Sequence, residues 1–143
     1  MHDLSAADRE FVRRFEACEY APADFDHRAH VRLAYAYLVD LDTDSAVSSM
    51  RNALKAFLEH YAIAPGKFHE TMTRAWVLAV RHFMDRGHPA SSADEFMTVN
   101  PQLLDSRIML THYSADLLFS DTARREFVEP DLTEIPLRPR PPR

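Results

Sequence analysis

Apolar residues return every three or four positions through most of this chain, and no stretch alternates apolar with polar residues as a half-buried strand would. The clearest case is Val47, Met50, Leu54, Phe57 and Leu58, which share one face of a helix predicted from about Ser45 to Tyr61. Capping residues bracket the other periodic segments. Ser5 opens a helix to about Cys18, and Asp24 or Asp26 opens a second to about Leu41. After the break at Ile63-Ala64-Pro65-Gly66, a fourth helix runs from about Lys67 to Arg86, where Gly87 and Pro89 stop it. Ser92 with Glu95 caps a short helix, another spans Pro101 to about Tyr113, and helical pieces cover residues 114–119 and 121–128. The fold expected is all-α, a single-domain antiparallel bundle of about six to seven helices over residues 1–132. Residues 133–143 form a proline-rich tail whose PxxP spacings offer a weak SH3-type reading.

Several function classes close on composition. A chain of 143 residues that is 46% hydrophobic fits one globular core. No apolar run reaches the roughly 20 residues of a membrane helix, so neither a membrane nor an export signal is expected and the default address is the cytoplasm. A net charge of −5 without a basic stripe argues against nucleic acid. Cys18 is the single cysteine, which excludes an internal disulfide and any CxxC site. With only Gly66 and Gly87, no glycine-rich phosphate loop exists, and no G-x-S-x-G elbow is present.

The histidines carry the remaining signal. His69-Glu70 opens like a zinc-protease motif, but position 73 is Thr73, so HExxH is absent. His27 and His30 lie on the apolar arc of the second helix with Val31, Ala34, Tyr37 and Leu38, roughly 5 to 6 Å apart at Cβ. His69 shares the apolar stripe of the fourth helix with Met72, Thr73, Trp76, Val80 and Phe83. An up-down-up path with legs of roughly 24 and 26 Å would bring His69 back to the level of His27 and His30.

Three imidazoles at one level suit a divalent transition metal, Zn, Fe, Ni or Cu, better than an oxygen-seeking ion. Glu70 would be the fourth ligand or a general base and, with Thr73, the catalytic pair of a metal-dependent hydrolase or oxygenase acting on a small molecule. The plain alternatives are an i,i+4 ion pair of Glu70 with Arg74, local hydroxyl bonds for Thr71 and Thr73, and a non-catalytic binding module with a buried histidine network. His60 and His112 could join the set but sit where a histidine commonly serves carbonyl groups, while His2, His82 and His88 read as surface residues.

The segments FDHRAHVRLAYAYL, GKFHETMTRAW and YSADLLFSDTARREFVEPDL together resemble a family of bacterial all-helical proteins with F-x-H-x-x-H and [YF]-H-E-T-x-T segments, over roughly residues 20 to 132. The resemblance implies the same all-α fold and places the motif on His27, His30, His69, Glu70, Thr71 and Thr73. It departs at His112-Tyr113, where the family carries a tyrosine pair, and it implies no particular reaction.

Overall fold

Local hydrogen bonding sets where each helix begins. Ser5 and Asp8 form a reciprocal capping box that starts α1, Ala6–Glu16. Asp26 accepts the Ala29 N–H to start α2, His27–Asp40, and Asp42 accepts the Ser45 N–H to start α3, Thr43–His60. Asp42 therefore opens α3 two residues ahead of the periodic stripe. α4 spans Glu70–Arg86, followed by α5, Ala93–Val99, and two short helices, α6, Ala115–Leu118, and α7, Asp121–Arg125. This computed structural model describes residues 1–135, and no strand occurs among them. The PxxP spacings of the tail lie outside the described residues. No described helix is long and apolar enough to cross a membrane.

The helix ends are less usual. Cys18 and Ala62 have φ of 57° and 54°, the left-handed conformation that glycine adopts at lowest cost. Each sits two residues past the end of a helix whose last carbonyls are closed there: Cys18 N–H reaches Phe15 O while Glu19 N–H reaches Arg14 O, and Ala62 and Ile63 repeat this with Glu59 O and Leu58 O. The Tyr61 hydroxyl donates to Cys18 O, tying the two helix ends together.

α4 packs against both α2 and α3, and α2 also carries α1 and α5, which makes an all-α bundle. The core fills from the apolar stripes read above. Phe15, fully buried, stacks on Phe57 at 4.6 Å between ring centroids, and Tyr35 stacks on Phe96 at the same distance. Burying one such ring contributes roughly 1.5–3 kcal/mol.

One charge is embedded in this packing. Burial alone would raise the Asp8 carboxyl, but N–H groups of Ala93 and Ser5 and the Arg32 guanidinium donate to it and together hold its pKa below the ordinary value.

The stretch 101–113 differs from expectation. It folds as two 3-10 segments, Pro101–Leu104 and Ser106–Thr111, rather than one α-helix. Asp105 supplies the reason: its carboxylate takes the Arg107 N–H, a local bond that competes with helical continuation.

Candidate functional site

His69 does not lie in the first turn of α4; it caps the helix from outside, with φ −131° and ψ 105°. Its Nδ1 accepts the Met72 N–H at 3.1 Å, so its Nε2 carries the proton and donates to Leu118 O at 2.7 Å. Burial, the largest influence, lowers its pKa. Both ring nitrogens are thus engaged within the protein.

The rest of the motif is engaged in the same way. Glu70, 8% exposed, receives two bonds from the Arg51 guanidinium, at 2.6 and 2.8 Å, and that donation holds its carboxyl below the usual range. Its partner is on α3 rather than Arg74, which turns to Asp44 and lies over the Phe127 ring. Thr71, fully buried, donates to Glu126 O and accepts the Val128 N–H. Thr73 donates back to His69 O at 2.8 Å. The segment FHETMT is therefore a junction that holds α3 and residues 118–128 against the start of α4.

His27 and His30 lie at a different level. The His27 ring meets Trp76 edge-on at 4.4 Å between centroids. Trp76 is seven residues beyond His69, about 10 Å of helical rise away from it. His27 Nε2 donates to Leu103 O at 2.9 Å, which leaves Nδ1 as the free position. His30 is half-buried, and burial followed by the neighbouring His27 pushes its pKa down to about 4. No described group hydrogen-bonds to its ring nitrogens, and they are not sealed from solvent.

The two rings are 6.4 Å apart at their centroids and inclined by 23°. Two imidazoles on one tetrahedral metal stand about 5 Å apart by the same measure, given metal–nitrogen bonds of about 2.1 Å. A shared ion would require the pair to close. Among the described residues, no group of three His, Cys, Asp or Glu is arranged to hold a metal.

Of the other histidines, His60 is exposed and lies edge-on to Tyr61, and His112 donates to Thr133 O at 2.7 Å. His2 and His82 are not the surface residues their sequence suggests. His2 bridges Met84 O and the Ala90 N–H, and His82 is 9% exposed with its Nδ1 lacking a hydrogen-bond partner. Arg51 carries no signal in the sequence as the partner of Glu70, because that pairing spans two helices. No family model, curated protein or solved structure matches the chain.

Proposed function

We propose that the chain is a helical binding protein that recognises a small polar molecule through His27 and His30, with Trp76 as the flat apolar wall beside them. The observation that carries this reading is His30. A neutral imidazole offers one donor and one acceptor, and on His30 both stay reachable from solvent although the ring itself is half-buried. His30 has no partner among the described residues. A ligand with a hydrogen-bonding group would satisfy it and could also reach the free Nδ1 of His27.

One observation favours a second reading, a divalent transition metal. Metal-binding histidines commonly donate their other ring N–H to a carbonyl, as His27 does to Leu103 O. In that reading the ion takes His27 and His30 after a rotation of the rings. His69 would join only by giving up its cap, and Glu70 would act as ligand or base only after release from Arg51.

One preparation tests both. Protein purified without an affinity tag is denatured, and the released fraction is analysed for small molecules and for metals, beside a folded His30→Ala variant. A small molecule bound stoichiometrically to wild type and lost in the variant supports the first reading; Zn, Fe, Ni or Cu lost in both His27→Ala and His30→Ala supports the second. Wild type that carries neither and takes up none of the four metals on titration refutes the metal reading. Equal ligand in wild type and His30→Ala refutes the assignment of the site.

A further inference from the structure

A cleft of about 790 Å³ lies on another part of the surface, between the second half of α3, the turn around Gly66 and α7. That volume falls in the range of small-molecule sites, roughly 300–1,000 Å³. Its floor is apolar: Leu58, Ile63 and Phe68 are half-buried there. Lys55, Arg124 and Arg125 line the rim, and none of them has a carboxylate within ion-pair distance among the described residues. The Lys55 ammonium stands 5.0 Å from the centre of the Phe68 ring, and Arg124 spends one N–H on Gly66 O across the cleft.

Unpaired cations gathered over an apolar floor are notable in a chain of net charge −5, where Arg13, Arg28, Arg32, Arg51, Arg74 and Arg107 all hold carboxylates. Glu59 and Asp121 also line the cleft, so three positive charges face two negative ones and the balance is positive.

The junction motif holds this cleft in shape. Phe68 precedes His69, whose bond to Leu118 O and the Thr71 bonds to Glu126 and Val128 fix the segment carrying α7. Glu70 holds Arg51, one turn before Lys55 on α3.

We infer that the cleft binds a small amphipathic organic anion, with its acidic group on Lys55, Arg124 and Arg125 and its apolar body on Leu58, Ile63 and Phe68. The apolar floor asks for more than inorganic phosphate, and the bounded volume asks for less than a polymer.

Calorimetric titration of the full chain with octanoate and 4-phenylbutyrate tests this, with octanamide, acetate, inorganic phosphate and a polyglutamate peptide as comparisons. Both carboxylates should bind, about tenfold or more tighter than octanamide and acetate. Lys55→Gln/Arg125→Gln, both exposed and free of hydrogen bonds to other side chains, should weaken octanoate about tenfold without moving the melting temperature, while Glu59→Gln tightens it. The inference is overturned by octanamide binding as well as octanoate, by phosphate or the peptide binding in preference, by indifference to the double variant, or by no binding of either carboxylate up to about 5 mM.

Discussion

Replacing Glu70 by glutamine keeps the shape of the side chain and removes its charge, leaving the Arg51 guanidinium without its carboxylate. The two charge-assisted bonds are short, 2.6 and 2.8 Å, the glutamine can keep at most one of them as a neutral bond, and the Glu70 end is nearly sealed. Breaking a sealed ion pair from one side costs about 3–5 kcal/mol. Arg51 keeps a third of its side-chain surface exposed and can be partly rehydrated, which brings the expected loss to about 2–3 kcal/mol. Urea denaturation should record that loss directly. In a domain of this size it corresponds to a melting temperature lower by roughly 6–10 °C. The cycle completed with Arg51→Met and the double variant should give a coupling of about 2 kcal/mol. Acid provides an independent reading. The Arg51 bonds lower the Glu70 pKa, so its contribution is present above the ordinary pKa of 4.5 and is lost as pH falls through the lower, folded-state value. Glu70→Gln should flatten that acid limb. A coupling below about 0.5 kcal/mol would refute the assignment of Glu70 as a structural partner of Arg51 and return it to the list of groups free for chemistry.

Three further outcomes follow from the same geometry. Thr71→Val should cost about 1–3 kcal/mol and speed amide exchange of residues 126–128, whereas Thr71→Ser should restore both; unchanged exchange in the valine variant would show that the clamp is idle. An unfolded His30 takes its proton near pH 6.5 and the folded one near 4, so the unfolded state binds the proton first and stability should fall by about 2 kcal/mol between those values, after allowance for partial exposure. His30→Gln should remove that part of the slope, and an identical slope would count against the desolvated imidazole. Ala62→Gly should stabilise by about 0.5–1 kcal/mol through relief of its positive φ, measured by urea midpoint, and a lower midpoint would refute the reasoning.

The α-helical class, the main stripes and most helix starts were legible because their determinants are local: an apolar period, and a Ser or Asp whose side chain meets a backbone N–H three residues on. What failed to show was whatever depends on a distant or unusual partner. An imidazole is outside the common set of capping residues, so His69 read as the first turn of α4 instead of its cap. The residue of α4 set beside His27 is instead Trp76, two helical turns beyond His69. Asp105 was legible in principle, since a short acidic side chain inside a helical stretch competes for nearby N–H groups. The cleft was beyond reach because its walls come from three segments, and the pairing of Glu70 with Arg51 because carboxylates and guanidinia four apart on one helix make a sufficient local account.

The clamps that secure the last third of the described chain have an asymmetry of their own. His27 holds Leu103, His69 holds Leu118, Thr71 holds Glu126, Tyr113 holds Val128 and His112 holds Thr133, in every case by the main-chain carbonyl. A carbonyl is present whatever side chain it belongs to. The grasping residue at each contact is restricted to types that can donate at that reach, while the grasped position answers only to its own packing. Random substitution should therefore be tolerated unevenly across each pair: exposed Glu126 and Thr133 accept most replacements, and Thr71 and His69 accept few.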